Sequence, residues 1–139
     1  VELAESLAVL NREIAMLRMV VARRFDLTVQ QGELLCQINR DSPSFGELAL
    51  RLGCDKTNIT GMIDRLAQRG LVSRRPDPTD RRVTRAVLTA DGIELGARIR
   101  AAFSAEVERR CADLSPEDRS QLIRLTRSIA DDLAGSKTP

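Results

Sequence analysis

The sequence predicts a mainly α-helical fold with one small β-hairpin, and three features predict it. Apolar residues recur at helical spacing through most of the 139 residues, and capping signals punctuate them. Between Leu71 and Thr89 the pattern changes to two strand-like runs around a turn-rich segment. The length suits one core rather than two, and no repeats or long linkers interrupt it, so residues 1–139 read as a single domain.

Leu3, Leu7, Leu10, Ile14, Leu17 and Val21 step alternately by four and three, a heptad-like stripe on a first helix of about 2–24. Such a stripe serves either a core or a helix–helix interface, and we read it as part of a dimer interface. Thr28 and Gln31 form a capping box for a second helix with Leu34, Leu35 and Ile38 on its apolar face. The breakers Asp41, Ser42 and Pro43 end it.

Ser44 and Glu47 make a second capping box, opening a short helix with Phe45, Leu48, Ala49 and Leu52 inward and Gly53 at its end. Asp55 then caps a helix running to about Arg69, with Gly70 as its stop. Two short capped helices around so tight a glycine corner fit a helix-turn-helix, though other helical hairpins share the pattern. Strands at about Leu71–Arg75 and Arg82–Leu88, joined through Pro76–Arg81, form a hairpin directly behind it: a wing.

Thr89 caps a fifth helix of about 90–112 carrying Leu95, Ile99, Phe103 and Val107. Ser115, Pro116, Glu117 and Asp118 are a strong start for a sixth, which carries Leu122, Leu125, Ile129 and Leu133 before a Gly-Ser-Lys-Thr-Pro tail expected to fray. Helices at about 1–24 and 113–134 are thus assigned to dimerisation, 28–89 to the winged lobe, and 90–112 to a connector.

Composition narrows the function. Three Phe with no Trp or Tyr leave little for stacking single-stranded bases. The absence of His removes the usual general base and His-containing zinc sites; there is no Gly-rich phosphate loop and no evident acid pair, so neither an enzyme nor a cofactor is expected. Cys36, Cys54 and Cys111, widely spaced and odd in number, read as reduced thiols of a cytoplasmic protein. Cys36, beside Leu35, and Cys54, at the helix corner, are expected to serve packing. No signal peptide or membrane span is apparent.

The net charge of +2 does not announce nucleic acid, but its distribution does. Arg74, Arg75, Arg81, Arg82 and Arg85 stand against Asp77 and Asp80, a net +3 on the hairpin alone. Arginine suits phosphate and minor-groove contact. On the fourth helix, Ile59, Met62, Ile63 and Leu66 share one face; Thr57, Gly61, Asp64 and Gln68 lie opposite, flanked by Asn58, Thr60 and Arg65. Small polar side chains suit a helix lying in the major groove. The combination points to double-stranded DNA. A protein-binding winged helix and a duplex-RNA binder are the rivals.

The run from Thr57 to Leu66, then Arg69-Gly70-Leu71-Val72, Arg74-Arg75, Asp77-Pro78-Thr79-Asp80-Arg81-Arg82 and Leu88-Thr89-Ala90-Asp91-Gly92, resembles the MarR family of winged helix-turn-helix transcriptional regulators. The resemblance implies a homodimer on a pseudo-palindromic operator, a repressor relieved by a lipophilic or phenolic effector. It implies that the fourth helix reads the major groove through Thr57, Asn58, Thr60, Gly61 and Arg65, and that Arg82 enters the minor groove, held by Asp80. Arg74, Arg75 and Arg81 are the expected accessory DNA contacts. Zinc-sensing relatives need His, and peroxide sensors carry a Cys near the first helix, so neither sub-type is matched; a thiol-based sensor remains the alternative regulator.

Overall fold

Capping chemistry sets the order of elements in the computed structural model, which describes residues 1–38 and 41–135. The helices are α1 (Glu2–Arg23), α2 (Val29–Gln37), α3 (Phe45–Leu52) and α4 (Lys56–Gln68); then come strands β1 (Val72–Pro76) and β2 (Thr84–Leu88), and helices α5 (Ala90–Arg110) and α6 (Pro116–Gly135). The rest of the tail expected to fray, Ser136–Pro139, lies outside the described residues. No helix among the described residues is long and apolar enough to cross a membrane.

The box at α2 is complete: Gln31 N–H donates to Thr28 Oγ1, and Thr28 N–H donates to Gln31 Oε1, each at 3.1 Å. At α3 only half of the expected box forms. Glu47 N–H donates to Ser44 Oγ, but the Glu47 carboxylate faces Arg85 at 3.8 Å instead of returning to Ser44. The nearby cation competes for it. Gly53 and Gly70 end α3 and α4 at φ +64° and +72°, as their positions predict.

The hairpin is antiparallel, with Val72 opposite Leu88, Arg74 opposite Ala86 and Pro76 opposite Thr84. Both strands begin later than the sequence suggests. Leu71 N–H bonds back to Leu66 C=O, and Gly70 N–H to Ala67 C=O, so Leu71 still belongs to the closure of α4. Arg82 N–H is taken by the Asp80 side chain and Val83 N–H by Asp80 C=O, which keeps both residues in the turn.

Two further bonds seat the hairpin. Ala86 N–H donates to Pro43 C=O at 2.9 Å, and Ser44 pairs with Arg85 as an isolated bridge, so the α2–α3 loop acts as a third, minimal strand. Behind β2, Thr89 Oγ1 donates to Gly70 C=O at 2.6 Å and accepts Gly92 N–H at 3.1 Å.

The core beneath is aliphatic. Leu34, Leu35, Ile38, Leu48, Ile59, Ile63 and Leu66 are fully buried, with Val21, Phe45, Val72 and Ala86 around them. Met62, expected inward, is half-buried at the edge of α4. The α1 stripe divides: Leu17 and Val21 enter the core, whereas Leu3 and Leu10 stay exposed.

Contacts divide the chain into two compact units, residues 1–105 and residues from 106 onward, with the boundary inside α5. In the second unit, Ser115 Oγ accepts Asp118 N–H to open α6, and Arg119 Nη1 donates to both Glu108 carboxylate oxygens at 2.7 and 2.9 Å. The apolar residues Leu122, Leu125 and Leu133 of α6 are exposed.

Candidate nucleic-acid interface

Asp55 accepts Asn58 N–H at 2.8 Å and fixes where α4 begins. Ile59, Ile63 and Leu66 then bury one face. Periodicity leaves Thr57, Asn58 and Arg65 exposed and Gly61 half-exposed on the other. These four, with Met62, join Thr28, the cap of α2, Gln30 of α2 and Cys54 along one concave surface of about 640 Å³. A Cβ built on Gly61 would meet nothing within 4 Å, so packing within the chain does not demand glycine there. Thr60 is half-buried and donates its hydroxyl to Lys56 C=O at 3.0 Å, leaving only its oxygen lone pairs to act as acceptors.

The five wing arginines separate into two groups. Arg74 forms an ion pair with Asp64 of α4, and its guanidinium lies 5.6 Å from the centre of the Phe45 ring. Arg85 donates from Nε to Asp77 Oδ1 at 2.6 Å and from Nη1 to Ser42 C=O at 3.1 Å. Both are thus engaged with the protein's own groups. Arg75 and Arg81 are exposed, with no carboxylate partner among the described residues. Arg82 lies at the tip, its side chain 91% exposed, and closes on Asp80 through Nε at 3.1 Å and Nη2 at 3.2 Å.

Two carboxylates organise the turn. Asp77 receives Arg85 on one oxygen and Thr79 N–H, Thr79 Oγ1 and Asp80 N–H on the other, the last three at 2.8–3.0 Å. The Arg85 guanidinium, ahead of the Thr79 hydroxyl and the two amides, holds the Asp77 carboxyl far below the usual carboxylate range. Arg82 likewise lowers Asp80, helped by its own backbone N–H. In the sequence, Arg85 counts only toward the wing's charge and Asp77 only against it. Opposite charges at the base of a turn, flanking the Pro76–Thr84 pair, were the available signal.

Cys36 packs against the core, as expected, but at its margin. It is half-buried and lines a cavity of about 300 Å³ together with Arg18, Val21, Ile99, Arg100 and Phe103. Burial pushes its thiol up despite the opposing pull of Arg100 and Arg18, which favours the neutral and less reactive form. Cys54 borders the concave surface of α4 and is also half-buried.

Comparison with known proteins gives the same picture. The MarR family model matches residues 27–84. The HTH-type transcriptional regulator MhqR of Bacillus subtilis (strain 168) is 41% identical over 72 residues, which cover 52% of this chain and 50% of that protein. The chain spans 50–59% of the length of the curated relatives it matches.

Among solved structures, wild-type MarR of E. coli in its apo form superposes with a TM-score of 0.84 at 24% identity, covering 93% of this chain and 96% of that one. A mutant of E. coli MarR complexed with operator DNA gives 0.74 at 24% identity, over 93% and 94% of the two chains. AbsC of Streptomyces coelicolor, a MarR family transcriptional regulator, gives 0.73 at 27% identity, over 94% and 91%. The α4 motif, the wing and the family match converge on one lobe, and residues 27–84 are a winged helix-turn-helix of the MarR family.

Proposed function

We propose that the chain is a sequence-specific, duplex-DNA-binding transcriptional regulator that acts in the cytoplasm as a homodimer. One observation carries this reading: the concave, small-residue face of α4 and the exposed Arg82 tip belong to one lobe, joined through the Arg74–Asp64 ion pair. Thr57, Asn58, Thr60, Gly61 and Arg65 would meet base edges and phosphates in the major groove; Arg82, held by Asp80, would reach the minor groove. Arg75 and Arg81 supply phosphate contacts, and Arg74 does so with a charge already shared with Asp64. The E. coli MarR mutant solved with operator DNA supports the reading by its fold. Selection of sites from a random duplex library, followed by titration at two salt concentrations, tests it. Specific binding must fall steeply with salt, by a slope of about −0.9 per neutralised phosphate. Indifference to sequence, or a preference for duplex RNA in competition, would defeat the reading.

The same reading includes repression relieved by a small effector. The cavity lined by Val21, Ile99 and Phe103, with the Arg100 guanidinium at its wall, suits a lipophilic or phenolic molecule. A ligand that raises the melting temperature and releases the operator is the expected behaviour.

A further inference from the structure

Apolar burial holds the wing only at its base. Of the ten strand residues, Val72 and Ala86 alone are buried; the outer part of β1, from Ser73 to Pro76, is exposed throughout. A two-stranded ribbon so anchored is marginal by itself. Beyond it, residues 77–83 form the turn that carries Arg82.

A polar chain takes over where the apolar contacts stop. Ser42, held at φ +45°, presents its carbonyl to Arg85 Nη1. The same guanidinium donates from Nε to Asp77, which in turn collects Thr79 and Asp80 N–H. Asp80 then receives the backbone N–H and side chain of Arg82. Arg85 also faces Glu47 in the first turn of α3. Every link from the α2–α3 loop to the wing tip is a hydrogen bond. The inner links are also the shielded ones: Arg85 and Asp77 side chains are 31% and 9% exposed, against 91% and 39% for Arg82 and Asp80. Solvent and salt weaken the outer pair more than the inner one.

We infer that Arg85 is a positioning residue that, through Asp77, clamps the wing turn to the α2–α3 loop and so aims Arg82 at the duplex. The inference rests on the duplex-binding reading above and adds to it a residue that touches no nucleic acid. Preorganised this way, Arg82 loses little freedom on binding. Without the clamp, Arg82 keeps its charge but not its direction.

A double-mutant cycle on a selected duplex tests this. In the parent, Arg82→Ala should weaken binding about tenfold. In an Arg85→Ala background the same change should weaken it less than about threefold, because the tip is already unaimed. Asp77→Asn, which preserves volume, should reproduce the coupling should Arg85→Ala fold poorly. A merely stabilising Arg85 would lower the melting temperature yet leave the Arg82 effect at its full size, which overturns the proposal. A second reading needs no DNA. Amide exchange at Thr79, Asp80 and Arg82 should quicken in Arg85→Ala, and unchanged exchange also overturns the clamp. Should Arg82→Ala bind as tightly as the parent while exchange responds as expected, the clamp stands as structure and the minor-groove role of the wing fails.

Discussion

Arg82 grips both carboxylate oxygens of Asp80, at 3.1 and 3.2 Å, yet leaves its own side chain 91% exposed. An ion pair this exposed contributes at most ~1 kcal/mol to stability. Its consequence is directional. Arg82→Ala should therefore leave the melting temperature nearly unchanged while reducing duplex affinity and the preference for narrow, A·T-rich flanks. Asp80→Ala should show a milder version, because the cation survives without its guide. Titrations and melting curves of both variants check this, and an Arg82→Ala protein that keeps the parent's flank preference would remove the minor-groove assignment.

Arg74 and Arg75 are neighbours with opposite fates. Arg75→Ala should reduce affinity evenly across sequences and lower the salt slope by ~1, with no change in stability. Arg74→Ala breaks the link to Asp64 and the contact with Phe45, so it should cost stability as well, on the order of 1 kcal/mol. Denaturant melts run beside the titrations separate the two.

The proposed dimer should depend on the exposed apolar residues of the terminal helices. Leu3 and Leu10 of α1, and Leu122, Leu125 and Leu133 of α6, are each more than 40% exposed. Leu122→Glu combined with Leu125→Glu should give a monomer in sedimentation and abolish binding to paired half-sites ~34–36 Å apart. A double variant that remains dimeric would place the interface elsewhere.

Gly92 cannot carry a side chain without movement. A Cβ there would strike Leu71 C=O, the acceptor of Thr89 N–H, where wing and α5 meet. Gly92→Ala should destabilise by ~1–3 kcal/mol. Gly61→Ala, with open space around it, should not; its effect should appear only in duplex affinity. Thermal melts and duplex titrations of the two variants, run side by side, check the contrast.

Asp77 should shape the acid limb of stability. Its carboxyl is depressed in the folded state, so its contribution is fully present above the unfolded value near ~4 and is lost as pH falls below that. Asp77→Asn should lower stability at neutral pH and flatten its fall with acid. Chemical denaturation between about pH 7 and 3 measures the sign; an unchanged acid limb would mean that the Arg85 pair is not formed in solution.

Much of this lobe was legible in the sequence because its signals are local. The Thr28–Gln31 box, the Ser44, Asp55 and Ser115 caps, and the left-handed Gly53 and Gly70 depend on residues three or four apart, and periodicity alone placed Ile59, Ile63 and Leu66 inside. The exposed side of α4 follows from the same arithmetic. The incomplete Ser44 box marks where that reasoning stops, since Glu47 answers to Arg85, a cation far along the chain.

Tertiary structure decided which arginines the rest of the lobe engages. Five of them look alike along the hairpin, and charge counting gives each the same weight. Folding brings Asp64 to Arg74 and the Ser42 carbonyl, with Asp77, to Arg85, and leaves Arg75, Arg81 and Arg82 facing outward. Cys36 keeps the packing position that adjacency to Leu35 suggests, but that this position borders a cavity is decided by the approach of Ile99, Arg100 and Phe103 from α5. A helix cap is a contact between near neighbours, so composition and spacing specify it. The partner of a long cationic side chain is whichever acceptor the fold brings within about 3 Å, and only the assembled chain determines that.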